Sequence, residues 1–268
     1  MELLRPVNGV MAVIGVIVGA ALGGVNFLES PIQLATAAAV AFLISGAGMT
    51  LNDYFDFEID FINRPNRPLT SGRIIANSAI TWAAILYGIA ICLSLFVLNP
   101  ALTSLAVVNI ILTFTYAWWL KRTAAGNFIV SWLVASTFIF GALLGTVSFS
   151  VVAVAGMAFF VNISREIAKS IEDFGGDKAK GANTLAVSVG RDVAIWLSLA
   201  FMFIGIGLSA VPYMMAELGP GYALLIVPSD IFALWAGWKL FNNASHAQRL
   251  LKIAMILALG AFLLGLVF

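Results

Sequence analysis

Long apolar segments and short polar ones alternate along the whole chain. Nine of the apolar segments, at about 20 residues each, are long enough to cross the hydrocarbon core of a bilayer as helices. The two-residue alternation of a membrane β-barrel is absent. The pattern predicts an all-α, polytopic membrane protein with nine transmembrane helices in one bundle, forming a single domain over residues 1–268. The predicted spans are residues 8–28, 31–51, 76–98, 101–120, 127–148, 151–171, 193–214, 220–240 and 249–268.

Composition agrees with a membrane protein. Hydrophobic residues make up 62% of the chain and charged residues 10%, with a mean hydropathy of +1.03, whereas soluble domains carry about 25% charged residues. The first apolar segment is long enough to span, so we expect it to be retained rather than cleaved as a signal peptide. The one cysteine, Cys92, lies in an apolar segment, where we expect it to be a small packing residue.

The positive charges lie on one side of the predicted bundle. All 14 lysines and arginines fall near the amino terminus, in the connections at 53–75, 121–126, 172–192 and 241–248, or at the adjoining span ends. The positive-inside rule places these regions in the cytoplasm and, with nine spans, the carboxyl terminus outside the cell membrane. Most acidic residues share that side, so we expect an active-site cavity at the cytoplasmic face. The net charge of +1 indicates no particular partner. We expect the protein to contact the lipid bilayer and to bind no nucleic acid.

The connection after the second predicted span carries regularly spaced acids in the sequence N-D-Y-F-D-F-E-I-D. Asp53, Asp56 and Asp60 are spaced i, i+3 and i+7, which places three carboxylates on one helix face, while Glu58 falls on the far side. Like charges repel unless a cation lies between them. Mg²⁺ is a natural cation here because it binds one or two carboxylates together with substrate phosphates.

Three arginines follow this acidic face at once. Arg64, Arg67 and Arg73 carry guanidinium groups, which suit phosphate geometry. The alternative is a solvated, charged loop between two membrane helices. The regular acidic spacing followed by arginines favours a metal and phosphate site.

A second acidic cluster lies where the sixth predicted span ends, 120 residues after the first. Asn162, Glu166 and Asp173 share a helical face, and Lys169 is close to it. Asp177 would join them if the helix continued. These paired locations indicate two pseudo-equivalent four-helix halves that face each other with an acidic site on each.

A pair of glycines bears on the end of this second cluster. Gly175 and Gly176 each weaken a helix by roughly 1 kcal/mol relative to alanine. We therefore interpret Asp173 and Asp177 as a pair at a helix end or turn, where the glycines would let the backbone approach a ligand. Between the two clusters, Lys121 admits two interpretations, as does its neighbour Arg122: interfacial anchors beside tryptophans, or phosphate ligands.

A few polar residues lie within or beside the apolar segments. Asp230 is an intramembrane carboxylate and hence a candidate functional group, but Pro228 just before it favours a broken span whose next half-helix is capped here. Asn8 and Asn109 are expected to form interhelical hydrogen bonds. His246 is expected to be a solvated loop residue.

Both acidic segments resemble the UbiA superfamily of intramembrane prenyltransferases. N-D-Y-F-D-F-E-I-D is similar to its N-D-x-x-D-x-x-x-D motif, and E-D-F-G-G-D is similar to its second D-x-x-x-D motif. The segments R-P-L-T-S-G, K-R-T and G-A-N-T-L-A also resemble family features, and the resemblance covers the whole chain. The form R-E-I-A-K-S-I-E-D-F-G-G-D-K most resembles the archaeal digeranylgeranylglyceryl phosphate synthase branch.

The resemblance implies an enzyme that transfers a geranylgeranyl group from geranylgeranyl diphosphate to the hydroxyl of geranylgeranylglyceryl phosphate, which forms the second ether bond of archaeal lipids. It implies that the acidic residues bind Mg²⁺, which in turn binds the diphosphate. Asp60 could orient an arginine instead of binding the metal. The implied catalytic and metal residues are Asn52, Asp53, Asp56, Asp60, Asp173 and Asp177. The implied substrate-binding residues are Arg64, Arg67, Arg73, Lys121, Arg122, Asn162, Glu166, Lys169 and Lys178.

Other functions remain open at this point. An aromatic prenyltransferase of quinone biosynthesis would have the same metal site and a different acceptor pocket. A cation-coupled transporter would use acidic ion sites near the midplane, whereas these acids end two spans at one face. A lipid phosphotransferase of the CDP-alcohol type is disfavoured because its D-G-x-x-A-R motif is absent: Tyr54 and Phe55 follow Asp53.

Overall fold

The computed structural model describes residue 3 and residues 5–63, 65–179 and 181–268. Within these ranges the regular structure is helical, with one isolated bridge between Thr123 and Asn183. The long helices are α1 (Pro6–Leu22), α2 (Pro31–Phe55), α4 (Ala76–Phe96), α5 (Pro100–Trp118), α6 (Ala125–Ala142), α7 (Phe149–Glu172), α10 (Arg191–Ser209), α12 (Gly221–Leu240) and α13 (Ala244–Val267). The short ones are α3 (Phe57–Asn63), a 3-10 turn (Leu120–Arg122), α8 (Phe174–Ala179), α9 (Leu185–Val189) and α11 (Val211–Met214).

The predicted membrane class is confirmed. Among the described residues, 8 helices are long and apolar enough to cross a membrane, counting α10 and α11 together as Arg191–Met214. Helix α1 is apolar but shorter, at 17 residues. The chain is therefore a multi-pass membrane protein.

Helix starts follow local sequence signals. Proline occupies the first turn of α1, α2 and α5, where its missing N–H costs nothing. Asn99 caps α5 by accepting hydrogen bonds from the N–H groups of Ala101 and Leu102, at 3.0 and 3.1 Å. Ser148 caps α7 in the same way, and Asn243 caps α13. These caps set where the cavity-lining helices begin.

Small residues let the helices at the centre approach closely. An added Cβ at Gly19 of α1 would lie 1.9 Å from the carbonyl oxygen of Phe138, and one at Gly141 of α6 would lie 1.9 Å from that of Val16. Such close backbone contact is a common basis of helix association in lipid, where dispersion and not hydrophobic burial holds helices together. Helices α1 and α6 thus form a tight central pair, against which α2 and α7 pack.

Three expectations about local structure are wrong. Helix α12 runs through Pro228 without ending, so the residues that follow cap nothing; packing against α13 supports the helix across the proline. Cys92 is exposed on the outer surface of α4 rather than packed. Gly175 and Gly176 lie inside α8, and the interruption falls at Asp173 instead, the C-cap of α7.

Candidate active site

The first acidic motif lies at a bend between α2 and α3. Helix α2 ends at Phe55, yet the N–H of Asp56 still bonds the carbonyl of Asn52 at 3.0 Å, and the N–H of Asp60 bonds that of Asp56 at 2.7 Å. Because the i→i+4 pattern continues through the bend, Asp53, Asp56 and Asp60 stay close to one face. Glu58 is exposed, as the spacing predicts.

Basic side chains hold the aspartates of this motif. Arg67 Nη1 donates to Asp53 Oδ1 at 3.1 Å and also contacts Asp60 Oδ2. Arg5, just before α1, donates to the same Asp53 oxygen at 2.5 Å. Part of the positive charge that balances the three aspartates therefore comes from Arg5 and Arg67. The alternative role for Asp60, orienting an arginine, is the contact observed here.

Lys121 joins the motif from the turn after α5. Its Nζ donates to Asp56 Oδ1 at 2.5 Å. Burial lowers the pKa of Lys121 from its ordinary value, and the bond to Asp56 opposes that shift. Of the two interpretations for Lys121, an interfacial anchor or a site cation, the structure places it in the site.

The second acidic motif lies at the opposite wall. Asp173 ends α7, and its carbonyl accepts the N–H of Asp177 in α8 at 2.9 Å, so the pair lies at a helix end as predicted. The chain after α8 then meets the turn after α5: the N–H of Asn183 donates to the carbonyl of Arg122 at 2.9 Å. This backbone hydrogen bond connects the K-R-T segment to the G-A-N-T-L segment.

One cavity of about 1210 Å³ connects the two motifs. Its wall includes eleven of the predicted site residues: Asn52, Asp56, Asp60, Arg67, Lys121, Arg122, Asn162, Glu166, Lys169, Asp173 and Asp177.

Four predicted site residues are not on the described part of this wall. Asp53 is buried behind its two arginines. Arg73 donates to Ser71 Oγ and to the carbonyl of Asn66, and Lys178 is exposed at α8. Arg64 lies outside the described residues.

Comparison with known proteins identifies the family. Residues 12–266 match the UbiA prenyltransferase family. The chain belongs to this family.

The UbiA relatives include proteins of similar length. The digeranylgeranylglyceryl phosphate synthase of Methanopyrus kandleri is 35% identical over 274 residues, which covers 99% of this chain and 98% of that protein. A solved structure of a digeranylgeranylglyceryl phosphate synthase is 33% identical with a TM-score of 0.81, over 99% of this chain and 96% of the other. A UbiA homologue from Archaeoglobus fulgidus bound to DMAPP and Mg²⁺ is 16% identical with a TM-score of 0.71, over 97% of this chain and 98% of that one, and shares the fold.

Sequence reasoning missed several residues of this UbiA cavity. Arg5 and Arg165 line it, as do Tyr116 and Lys252. Asp230, which the sequence did single out, also lines it. The sequence carried a signal for Arg165, since it adjoins Glu166 in a predicted membrane span. The sequence carried no such signal for Arg5. A single basic residue beside a membrane span is what the positive-inside rule predicts in any case, so it does not indicate a functional site.

Three intramembrane polar residues singled out from the sequence have hydrogen-bond partners. Asp230 accepts a hydrogen bond from Ser209 Oγ at 2.8 Å. Asn109 donates to Ser136 Oγ on α6 at 3.0 Å, which confirms the expected interhelical bond. Asn8 makes a weaker one, to Met49 Sδ at 3.5 Å. His246 is exposed, as expected, but it lies in the first turn of α13 and not in a loop.

The donor set fits Mg²⁺ bound together with a diphosphate. Among the described residues, no three His, Cys, Asp or Glu side chains converge into a ready-made metal cage. Asn52 immediately precedes Asp53, and its Oδ1 atom is buried without a hydrogen-bond partner in the described part of the chain. Oxygen is the ligand type that Mg²⁺ prefers, and Mg²⁺ needs only one or two protein ligands when substrate phosphates supply the others.

Proposed function

We propose that this protein transfers a geranylgeranyl group from geranylgeranyl diphosphate to the hydroxyl of geranylgeranylglyceryl phosphate (GGGP). This transfer forms the second ether bond of archaeal membrane lipids. One observation carries the proposal: a single cavity faces both acidic motifs of a UbiA chain whose full-length relatives are named for this synthesis. The surplus of cations on the cavity wall supports it further, because both substrates carry phosphate groups.

The donor diphosphate would bind between the two motifs. Asn52, Asp56, Asp173 and Asp177 would hold it through Mg²⁺, which neutralises negative charge on the departing diphosphate when bound. Arg67 and Lys121 already lie at this wall, and they would contact phosphate oxygens directly. Fixed positive groups that face developing charge lower the barrier without reorganising.

Asp53 and Asp60 would act differently from the other acids. Asp53 is buried and bonded to two arginines, and Asp60 contacts Arg67. Their role would be to orient Arg67 at the cavity wall, with the metal ligand role left to Asn52, Asp56, Asp173 and Asp177.

The isoprenoid tails would occupy the deeper part of the cavity. Its wall there includes the apolar side chains of Ile44, Phe138, Met157 and Phe262. Such a lining excludes water from the allylic carbon while the C–O bond breaks, so the acceptor hydroxyl and not water reaches it.

The number of membrane spans and their orientation are also proposals. We propose that α1 is a ninth span, since 17 residues is the lower limit for crossing a bilayer. The chain would then form one domain with the amino terminus, the acidic motifs and the cavity mouth on the cytoplasmic side, and the end of α13 outside.

An acceptor screen tests the proposal. Purified protein would receive geranylgeranyl diphosphate and Mg²⁺ with either GGGP, 4-hydroxybenzoate or 1,4-dihydroxy-2-naphthoate, and products would be read by mass. We expect a diether phosphate alone. A prenylated aromatic would move the protein to quinone biosynthesis with the same fold. Folded protein that prenylates none of the three would contradict the transferase assignment and favour a transporter.

A further inference from the structure

An arginine and a glutamate lie side by side on the cavity wall, deeper in the bundle than the acidic motifs. Arg165 Nη1 donates to Glu166 Oε1 at 2.6 Å, and both residues belong to α7. Arg165 precedes Asp173 by eight residues, which is roughly 12 Å along the helix. Charged groups inside a membrane bundle are costly, and where they occur they typically serve a substrate or another charge.

The ion pair leaves part of the arginine unsatisfied. Arg165 Nε is buried and has no hydrogen-bond partner among the residues that the structure describes. Buried donors without partners are rare in folded proteins, so each calls for an explanation. The recorded bond to Glu166 uses Nη1, and the guanidinium is a planar fork with five donors. An arginine of this kind on a cavity wall is suited to bind a phosphate.

The cations nearer the first motif are already in use. Arg67 bonds Asp53 and Asp60, and Lys121 bonds Asp56, so these two belong to the diphosphate end of the cavity. Lys169 lies on the wall one turn along α7 from Arg165, toward Asp173. The positive charge on α7 thus comes from a different segment of the chain from the cations that bond the first motif.

We propose that Arg165 and Glu166 form the acceptor subsite, with Arg165 binding the acceptor phosphate and Glu166 taking the proton of the acceptor hydroxyl. The inference rests on the proposed function. In GGGP the phosphate and the free hydroxyl are on neighbouring glycerol carbons, so a guanidinium and a carboxylate in direct contact match them.

The groups account for every atom of the transfer. The hydroxyl oxygen forms a bond to C1 of the donor, and the bond from C1 to the diphosphate oxygen breaks. The electron pair of that bond leaves with the diphosphate. The hydroxyl proton passes to the Glu166 carboxylate, which lies beside the acceptor phosphate because Arg165 holds both.

Binding of each substrate alone tests the arginine. Full-length protein in nanodiscs would be titrated calorimetrically with GGGP and, separately, with geranylgeranyl diphosphate and Mg²⁺. We expect Arg165→Gln to raise the Kd for GGGP by about 10- to 100-fold, since a charged hydrogen bond is lost, and to leave the donor Kd within about twofold. Arg191→Gln is the matched control, because Arg191 is exposed at the start of α10 and away from the cavity.

Turnover tests the glutamate. We expect Glu166→Gln to lower kcat by about 100-fold or more with little change in the KM for GGGP, as loss of a general base does, and Glu166→Asp to recover part of that rate. A purely structural role would instead change both substrates' KM values and the unfolding temperature, without rescue by aspartate.

The outcomes separate the two proposals. Wild-type protein that does not convert GGGP overturns the proposed function. If wild-type protein converts it, unchanged GGGP affinity in Arg165→Gln, or an equal loss of donor affinity, overturns the subsite alone. If Arg165→Gln does not fold, the double variant Arg165→Gln/Glu166→Gln, which leaves no unpaired charge, is titrated instead with the same expectations.

Discussion

At the scale of single residues, the aspartates of the two motifs differ in their surroundings. Asp56 and Asp173 face the cavity, whereas Asp53 is held behind arginines. Similar acidic motifs in the sequence therefore contain two kinds of carboxylate. Asp56 and Asp173 are suited to hold a substrate-bound metal, and Asp53 and Asp60, which are bonded to Arg67, are suited to position that arginine.

We expect Asp56→Ala and Asp173→Ala each to abolish turnover in protein that stays folded in detergent, because each removes an oxygen that would hold Mg²⁺ and diphosphate. Glu58→Ala is the matched control and should keep wild-type activity, since Glu58 is exposed and off the cavity wall. EDTA should stop the wild-type reaction and Mg²⁺ should restore it. Near-normal rates in both aspartate variants would refute the metal assignment.

We expect Arg67→Met to destabilise the protein by about 3 kcal/mol, because it leaves the buried Asp53 with one partner and Asp60 without its arginine. Chemical unfolding in detergent measures this. Arg191→Met, at an exposed position, should change the unfolding free energy by less than about 0.5 kcal/mol. Equal stability of the two variants would show that the Arg67 contacts do not stabilise the fold.

At the scale of helices, glycines decide how closely the central pair packs. The backbones of α1 and α6 approach so closely at Gly19 and Gly141 that no side-chain carbon fits between them. Both helices line the cavity, so their separation also sets its width.

Gly141→Ala is expected to cost about 2 kcal/mol or more, since the new Cβ would meet the carbonyl oxygen of Val16 and backbone cannot yield as a side chain does. The melting temperature in detergent measures the effect. Gly88→Ala is the control, because a Cβ there meets nothing within 4 Å and alanine favours helix. A Gly141→Ala variant as stable as Gly88→Ala would contradict the close packing.

At the scale of the whole molecule, the charge asymmetry predicts orientation. In a Cys92→Ser background, a membrane-impermeant maleimide on intact cells should label Leu28→Cys, in the connection between α1 and α2, because that connection would lie outside. His246→Cys, in the first turn of α13, should react only after permeabilisation. The reverse pattern would invert the proposed topology and place the cavity mouth outside.

The membrane class, the positions of eight spans and both acidic motifs follow from local sequence. Lipid satisfies no backbone hydrogen bonds, so an apolar segment of sufficient length must be a helix. The helical spacing of Asp53, Asp56 and Asp60 likewise follows from the backbone period. These features need no knowledge of which helices touch.

Tertiary structure alone decided which groups meet across the bundle. Arg5 bonds Asp53 over 48 residues and Lys121 bonds Asp56 over 65, and no local pattern encodes such separations. Packing also overrode local signals: α12 continues through Pro228, and the glycine pair lies inside α8. A carboxylate's partners depend on the helices that surround it, because charge in a low-dielectric interior is stable only where other helices bring a counter-charge.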